Sequence, residues 1–431
     1  VDKYLSPTVP PYVTCSFRRP SDHRCDRRAL ISNSDYSSSA ISSTSMQAFA
    51  RWYTSSTAAP SSMRLSSVMK FIGGTNSRRN PLQRSRKFQT NSYGEQSPEL
   101  AYVNRGPRYG SGPCTFFRLP FVPPDQIERD GFKGIDVALV GVPYDGGTTN
   151  RPGARYGPKG VREASSDHLR AVNQATGVSP LELGLCIRDV GDFNVSAPWS
   201  LESSHDEIEK KFANMLSHGA ITPLSVGGDH SITLPILRAL RKKVEEPLAL
   251  IHIDAHADTG DAYLGSRFHH GAPFKVATDE GLIDPKRTIQ IGIRGSLAHP
   301  EQWQFSKDSG MKVISMEEVE TIGVKGVLAE IKGLLGGGKT GSGKVYISFD
   351  IDALDPAFAP GTGTPEIGGF TSREAQALLR GIGKLDLNIA GADVVEVSPP
   401  FDAGGVTSLA GANVMHELLC LVAESANRRE E

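Results

Sequence analysis

The sequence predicts an α/β fold, a three-layer sandwich in which a central parallel sheet is covered by helices on both faces. Two observations predict it. Seven short runs are apolar along almost their whole length, which is typical of strands buried on both faces of a parallel sheet. Segments with the apolar spacing of helices lie between these runs. The alternation continues without a linker, so we expect a single catalytic domain over residues 110–425.

The predicted elements follow one another in a regular order. The strands are expected at 135–143 (IDVALVGVP), 221–226 (ITPLSV), 248–254 (LALIHID), 288–293 (TIQIGI), 312–316 (KVISM), 344–352 (KVYISFDID) and 389–397 (IAGADVVEV). The helices are expected within 203–219, 231–243, 372–384 and 408–425. Ligands of such sheets bind at the carboxyl ends of the strands. The polar residues that follow the strands are therefore the candidates for a functional site.

Residues 1–100 differ in composition from the rest of the chain. Between Tyr36 and Gly94 there is no Asp or Glu, while Ser and Arg are frequent. This composition is typical of a mitochondrial transit peptide, so we assign 46–100 to such a peptide and expect the mature protein in the mitochondrial matrix. The alternative is a disordered basic arm that binds nucleic acid. Residues 1–45 precede Met46 and are left as an extension of uncertain status, a fragment or a gene-model artefact.

The composition argues against several classes of protein. The five cysteines are scattered, odd in number and free of CxxC spacing, which disfavours a disulfide framework or a zinc knuckle and favours a reducing compartment. No apolar run approaches the roughly 20 residues needed to span a bilayer. The formal net charge is −1. We therefore expect neither a nucleic-acid partner nor a membrane partner.

A row of charged and imidazole side chains continues the predicted strand 248–254. It consists of His252, Asp254, His256 and Asp258. These residues occupy alternate positions, so an extended chain directs all four side chains to one face. Burying unpaired charge costs several kcal/mol, on the order of 2–7 for a polar group alone, so the row requires a compensating partner.

Two other strand ends supply similar residues. Asp229 and His230 follow the strand 221–226, and Asp350 and Asp352 share one face at the end of 344–352. Four of these carboxylates and two of these imidazoles can hold two divalent cations, with two carboxylates bridging. The oxygen-rich set without thiolate favours Mn²⁺ over structural zinc, and Mg²⁺ seldom takes His. Two such metals lower the pKa of the water between them, which predicts a hydrolase with a hydroxide nucleophile.

Three sequence blocks, in this order, resemble the signatures of the ureohydrolase family, which comprises arginase, agmatinase and their relatives. The blocks are GGDHSITLP (227–235), HIDAHAD (252–258) and SFDIDALDPAFAPGTGTPEIGG (348–369). The resemblance covers everything after about residue 110. Within the family, GVPYDGGTTNRPGARYGP (141–158) and DVVEVSPPFD (393–402) are most similar to agmatinases of the animal mitochondrial type. The resemblance implies an arginase-like sandwich and a homo-oligomer, a trimer or hexamer.

The resemblance also implies a role for each site residue. Two Mn²⁺ ions per subunit would be held by His230, Asp254, His256, Asp258, Asp350 and Asp352, with Asp254 and Asp350 bridging. Glu396 matches the acid that pairs with the substrate guanidinium, and His270 matches the loop histidine that assists proton transfer. Asp258 is expected to accept a hydrogen bond from the attacking hydroxide, which orients its lone pair, as well as to bind metal. Asn150 is a candidate for the pocket mouth, with Arg151 and Arg155 as alternatives.

The expected reaction is hydrolysis of a small linear guanidino compound, agmatine and water giving putrescine and urea. The first alternative is a guanidino acid such as 4-guanidinobutanoate, because the loop 145–155 offers both an acid and donors at the mouth. A single-zinc, deacetylase-like amide hydrolase and a non-catalytic binding protein are weaker alternatives.

Three further positions carry specific expectations. His269 competes with His270 for the loop role, and His252 is expected to be structural although it shares the face of the ligands. Ala257 stands where the family usually has Thr, so a hydroxyl near the substrate is missing. We expect metal binding to survive this change and substrate positioning to be affected.

Overall fold

A single parallel sheet forms the centre of the part of the chain that the structure describes. The computed structural model describes residues 113–168, 172–297, 302–336 and 343–430, and the predictions for 1–45 and 46–100 lie outside these ranges. Within them, the strands are β1 (Val137–Val142), β2 (Ile187–Asp192), β3 (Thr222–Gly227), β4 (Leu248–Ile253), β5 (Ile283–Ile293), β6 (Lys312–Ser315), β7 (Val345–Asp350) and β8 (Ile389–Val395). Their order in the sheet is β2-β1-β3-β8-β7-β4-β5-β6. Every pairing is parallel.

Helices cover both faces of this sheet. They are α1 (Pro124–Asp130), α2 (Gly157–His168), α3 (Leu201–Ser217), α4 (Thr233–Arg241), α5 (Pro273–Asp279), α6 (Gln304–Ser309), α7 (Met316–Leu335), α8 (Ser372–Gly383) and α9 (Val406–Glu430). Polar caps begin several of them: Ser315 and Thr371 each form a capping box with a Glu three residues later, which satisfies two backbone N–H groups.

Alternation along the strands divides the apolar side chains between two cores. Leu139 of β1 packs into a core that includes Leu378 of α8 and Leu418 of α9. The next residue, Val140, packs into a second core on the opposite face, which includes Phe212 of α3. Each fully buried Leu or Phe contributes roughly 1.5–3 kcal/mol, so both layers of helices are held to the sheet by their apolar faces. The predicted three-layer α/β fold is confirmed.

The C-terminal helix is long and contains an apolar stretch. The segment Ala403–Arg428 has the length and composition of a membrane-spanning helix, but 78% of its most apolar window is buried inside the protein. It packs against α2, α8 and β8. Its apolar character therefore has an explanation in the protein core.

Six of these strands and helices were absent from the sequence prediction: β2 and the helices α1, α2, α5, α6 and α7. Strand β2 has the sequence IRDVGD, in which two acids and a glycine hide the apolar pattern, because an edge strand is buried less completely. Helix α2 begins in a segment rich in Gly and Pro. Helix α7 contains Gly323 with φ 65°, which interrupts the helical period. The predicted strand 312–316 is correct except that Met316 begins α7.

The strand order explains where a site can form. Strands β3, β8, β7 and β4 are neighbours at the centre of the sheet, although they are far apart in sequence. Val226 pairs with Val394, Val394 with Phe349, and Phe349 with Ile253, so the four strands end at the same level. Every candidate residue that directly follows one of these strands is therefore delivered to one edge.

Candidate active site

The imidazole of His230 lies in the middle of a carboxylate cluster. Its Nδ1 is 3.1 Å from Asp254 Oδ2, 3.0 Å from Asp258 Oδ2 and 3.2 Å from Asp350 Oδ2. His230 is only 1% exposed, and among the described residues Nδ1 has no hydrogen bond of acceptable geometry. A buried nitrogen that faces three carboxylates without such a bond fits a cation-binding site.

A second group of ligand atoms adjoins the first. His256 Nδ1 is 3.1 Å from Asp352 Oδ2 and 3.5 Å from Asp254 Oδ1. The two oxygens of Asp254 therefore face different imidazoles, which is the position that a bridging carboxylate requires. Asp350 contributes Oδ2 to the first group, while its Oδ1 accepts the backbone N–H of Asp352 at 2.8 Å.

His252, which was expected to be structural, is in direct contact with this cluster. Its Nε2 is 2.7 Å from Asp254 Oδ2, and its ligand atom falls in the same potential metal-binding group as those of His230 and Asp258. Its Nδ1 is 3.1 Å from Gln290 Nε2, which also donates to the carbonyl of Ala257 at 2.6 Å. These bonds fix the orientation of Asp254.

Charge in the cluster is balanced by protons when no cation is bound. Burial raises the pKa of Asp350 well above its usual value, and the charges of Asp352 and Asp254 raise it further. Burial alone would lower the pKa of His230, but the nearby carboxylates of Asp254, Asp258 and Asp350 raise it well above its usual value. Because divalent cations would replace these protons, the oxygen-rich donor set fits a metal pair.

Two site residues adopt a backbone conformation that L-residues rarely take. Asp258 has φ 50° and Glu396 has φ 64°, both in the left-handed region. Such residues cost about 1–3 kcal/mol each and persist where the surrounding structure fixes them. The amide of Phe274 donates to the Asp258 carbonyl at 3.1 Å, and the amide of Glu396 donates to the Gly228 carbonyl at 2.9 Å. These bonds hold both acids at the strand ends.

Glu396 has one carboxylate oxygen occupied and one free. Its Oε1 accepts the backbone N–H of His230 at 2.9 Å and lies 2.9 Å from His270 Nδ1. Its Oε2 is buried and has no hydrogen-bond partner in the described part of the chain. A buried, unpaired carboxylate oxygen is costly, and a guanidinium is a group that could satisfy it.

His270 bridges Glu396 and the loop after β1. Its Nε2 is 2.8 Å from Thr149 Oγ1 and 3.2 Å from the Thr149 amide. Burial opposes protonation, but the charge of Glu396 raises the pKa of His270 to about 9. The amide N–H of Thr149 favours a neutral ring, yet the nearby carboxylate is the stronger influence because it carries a full charge.

The neighbouring His269 has a different environment. Its Nε2 is 2.7 Å from the carbonyl of Asp261, and its Nδ1 accepts the N–H of Gly271 at 3.2 Å. The structure therefore brings His270, and not His269, to Glu396.

Asp229 supports this loop and the neighbouring His230, a candidate metal ligand. Its Oδ2 accepts the N–H of Gly147 at 2.7 Å, and its Oδ1 accepts the N–H of Ser231 at 3.0 Å. Burial, followed by the charge of Glu396, raises the pKa of Asp229 to about 7. Asp229 thus connects the loop after β1 to the loop after β3.

A cavity of about 180 Å³ opens onto these residues. It is lined by Thr149, His256, Ala257, Asp258, Thr259, Gly260, His270, Gly271, Arg294, Ser296, Leu297, Gln302, Trp303, Asp350, Thr364 and Glu396. A larger cavity of about 750 Å³ lies beside the edge strand β2 and contains none of the candidate site residues. The chemistry therefore assigns the smaller cavity as the site.

The three residues considered for the mouth of the pocket mainly support loops. Asn150 is exposed, does not line the cavity, and donates to the carbonyl of Gly363 at 3.1 Å. Arg151 donates to the same carbonyl at 3.1 Å, and Arg155 forms an ion pair with Asp145. These contacts give Asn150 a place in shaping the loop 362–364 that borders the pocket.

Sequence reasoning missed several residues that support the ligands. Ser348 lies 2.7 Å from His230 Nε2 and donates to Asp393 at 2.7 Å. Thr149 and Gln290 contact His270 and His252. A signal was present for Asp393, since an acid inside an otherwise apolar central strand requires partners. No signal in the sequence marks Thr149, which meets His270 only through the fold.

The comparison with known protein families agrees with this geometry. A family model described as the arginase family matches residues 135–420. The chain belongs to the arginase family. The predicted resemblance to the ureohydrolases is thereby confirmed.

Relatives within the arginase family have several named activities. Guanidinopropionase of Pseudomonas aeruginosa is 52% identical over 324 residues, which is 75% of this chain and 95% of that protein. Human mitochondrial guanidino acid hydrolase is 42% identical over 340 residues, 79% of this chain and 90% of that one. Mitochondrial agmatinase of Gallus gallus is 44% identical over 311 residues, 72% and 86% of the two chains.

Solved structures of the arginase family have the same fold. Proclavaminate amidino hydrolase from Streptomyces clavuligerus superimposes with a TM-score of 0.67 at 41% identity, covering 74% of this chain and all of that one. A formiminoglutamase from Trypanosoma cruzi, solved with Mn²⁺, superimposes with a TM-score of 0.58 at 25% identity, covering 68% and 94%.

Proposed function

We propose that this chain hydrolyses a linear ω-guanidino compound to urea and the corresponding amine, using a pair of Mn²⁺ ions. The observation that carries the proposal is the free, buried Oε2 of Glu396, a residue that lines the same cavity as Asp258 and Asp350 of the carboxylate cluster. Two of the arginase-family relatives above, the guanidinopropionase and the human guanidino acid hydrolase, are named for guanidino substrates.

The metal ligands would be the six residues of the cluster. His230, Asp254, Asp258 and Asp350 would hold one ion, and His256, Asp352 and again Asp254 and Asp350 the other. When bound, the metals supply Lewis-acid activation of a water molecule at neutral pH. Mn²⁺ suits a set of carboxylates and imidazoles without thiolate, and the Trypanosoma cruzi relative was solved with it.

Glu396 would orient the substrate. A guanidinium is planar and presents N–H groups in a fork that matches a carboxylate. Oε1 is already used by His230 and His270, so Oε2 is the oxygen that the substrate would meet. Fixing the plane of the guanidinium presents its central carbon, a weak electrophile, to the attacking water.

Two other residues would move protons. Asp258 lines the cavity and could accept a proton from the attacking water. The leaving amine must depart neutral, and His270, with its raised pKa, carries a proton at neutral pH that it could donate. Thr149 and Glu396 hold the ring of His270 in place for this transfer.

We favour a guanidino acid over agmatine as the substrate. The carboxylates among the described lining residues are Asp258, Asp350 and Glu396. The metals would use the first two, and the guanidinium would use Glu396. Among the described residues, no further acid lines the cavity to receive an ammonium tail. Neutral donors do line it, namely Thr149, Thr259, Ser296, Gln302, Trp303 and Thr364. Agmatine, the substrate expected from the sequence, remains the second candidate because the Gallus gallus agmatinase is 44% identical.

The test compares three substrates on the Mn²⁺-loaded chain. We expect urea release to be faster, per kcat/KM, from 3-guanidinopropionate or 4-guanidinobutanoate than from agmatine. Ser296→Ala should raise KM for the acid more than KM for agmatine, because it removes a donor from the cavity wall. A preference for agmatine would reverse the substrate assignment, and urea from none of the three would refute the proposed activity.

We also propose a mitochondrial location and a homo-oligomeric state. Residues 46–100 have the composition of a transit peptide, and the human and Gallus gallus relatives are named as mitochondrial. Import into isolated mitochondria with removal of about this segment would support the location. Light scattering of the purified chain would distinguish a trimer or hexamer from a monomer.

A further inference from the structure

A buried carboxylate lies behind the metal ligand His230. Asp393, on the central strand β8, is 0% exposed. Its Oδ1 accepts the hydroxyl of Ser348 at 2.7 Å, and its Oδ2 accepts the hydroxyls of Thr233 and Tyr346, each at 2.7 Å. Within the described residues no Lys, Arg or His forms an ion pair with it. Three hydroxyl groups therefore stabilise this charge in the interior.

The hydrogen bonds from His230 to Ser348 and from Ser348 to Asp393 run in one direction, because the serine hydroxyl has only one proton to donate. A serine hydroxyl has one proton, and a carboxylate can only accept. Ser348 therefore spends its proton on Asp393, and its oxygen turns a lone pair towards His230 Nε2, 2.7 Å away. The imidazole must then donate from Nε2. Its other nitrogen, Nδ1, is the atom that faces the carboxylate cluster.

We propose that Asp393, acting through Ser348, holds the ring proton of His230 on Nε2 and so leaves Nδ1 as a lone pair for a divalent cation. The inference rests on the metal centre of the proposed function. Asp393 is a positioning residue: it touches neither the substrate nor the metal, and its effect reaches the site through two hydrogen bonds. A cation at Nδ1 requires this tautomer, because a proton on Nδ1 would occupy the same position.

An isosteric variant can reverse the direction of the bonds. In Asp393→Asn one oxygen becomes an NH₂ group. The oxygen that remains is expected to face Thr233 and Tyr346, since two hydroxyl donors already point there. The NH₂ group then faces Ser348 and donates to it. Ser348 must in turn donate to His230 Nε2, which moves the ring proton to Nδ1.

Three companion variants separate this effect from simple loss of packing. Tyr346→Phe removes one hydroxyl from Asp393 and leaves the bond between Ser348 and His230 intact. Ser348→Ala removes the connection and leaves either tautomer available. The double variant Ser348→Ala with Asp393→Asn removes the reversed bond itself, so it should bind metal better than Asp393→Asn alone. A purely structural role would make the two losses add.

The measurement is a calorimetric titration of Mn²⁺ into the metal-free full-length chain, with the thermal midpoint of each metal-free variant as a check on folding. We expect Asp393→Asn to lower the affinity of one Mn²⁺ site by about 10- to 100-fold, the range found when the hydrogen-bond partners of metal ligands are removed. Ser348→Ala should cause a smaller loss, and Tyr346→Phe should match the wild-type chain.

Each outcome decides the inference. Equal affinities for Asp393→Asn and Tyr346→Phe would overturn it, as would a double variant weaker than Asp393→Asn. If Asp393→Asn does not fold, Ser348→Ala decides, and an affinity equal to that of Tyr346→Phe overturns the inference. A wild-type chain that binds no Mn²⁺ would refute the proposed metal centre, whereas normal binding with no differences among the variants would refute only the role of Asp393.

Discussion

Replacing Glu396 by Gln is the sharpest test of how the substrate is held. The change preserves the shape of the side chain and removes its charge. Oε1 can still accept the N–H of His230, so the amide NH₂ would stand at the position of the free Oε2. There it would point its protons at the N–H groups of the substrate guanidinium. An attractive, charge-assisted bond is thereby replaced by two donors facing each other.

The size of the effect follows from the burial of this carboxylate. Glu396 is 1% exposed, so solvent does not screen the lost interaction. Hydrogen bonds to charged groups contribute about 1.5–3 kcal/mol, which corresponds to a fall in kcat/KM of roughly 10- to 150-fold at about 1.4 kcal/mol for each factor of ten. The variant also removes the carboxylate beside His270, so the pKa of His270 should fall. As pH rises, the activity of the variant should therefore begin to decline at a lower pH than that of the wild type.

Urea release at several pH values, with Mn²⁺ content determined for each preparation, measures both effects. Glu163→Gln is the matched control, since Glu163 is an exposed acid of α2 and lines neither cavity. Full metal content combined with kcat/KM within twofold of the wild type would refute the assignment of Glu396 as the guanidinium partner.

Three further predictions concern the metal cluster and its neighbours. Mn²⁺ affinity should rise by about tenfold per pH unit for each proton that the metal displaces, because the pKa values of His230 and Asp350 are raised. Equal affinities at pH 6 and pH 8 would contradict this. The protonated His270 should stabilise the metal-free chain below pH 6.5, and this stabilisation should disappear as pH rises through about 9. The pKa shift corresponds to about 3 kcal/mol of unfolding free energy. In urea unfolding, His270→Asn should lose this pH dependence. Asp258→Asn should weaken Mn²⁺ binding and keep the stability of the metal-free chain. Asp258→Ala should also lower the unfolding free energy by about 1–3 kcal/mol, because Asn tolerates the left-handed φ of 50° and Ala does not. Equal unfolding free energies for the two variants would count against this explanation.

The sequence predicted the parts of the fold that depend on uninterrupted apolar patterns. The strands β3, β4, β7 and β8 were predicted because their residues are buried on both faces and therefore apolar almost throughout. Strand β2 was missed because it lies at the edge of the sheet, where partial exposure permits the acids of IRDVGD. Neither helix α2 nor α7 shows an unbroken helical period, since glycines occur near the start of the first and within the second.

The site was predictable to the extent that its residues follow strand ends in short motifs. Asp254, His256, Asp350 and Asp352 could be grouped from their alternate spacing alone. The partnership of Glu396 with His270 could not, because 126 residues separate them and only the fold brings them together. The tautomer-setting contact of Ser348 was equally hidden, since a serine inside a strand is ordinary until a ligand is found beside it.

The order of the strands gives the metals a mechanical consequence. The proposed ligands follow β3, β4 and β7, and β8 lies between β3 and β7, so no half of the chain holds a complete set. A bound ion would join the segment 230–258 to the segment 350–352 and act as a clasp across the middle of the sheet. Ion concentrations at 100 times the dissociation constant would add about 2.7 kcal/mol to the free energy of unfolding. Supply of the metal would then govern how long the protein survives as well as how fast it works, and a cell starved of the ion would lose the chain itself to unfolding and degradation.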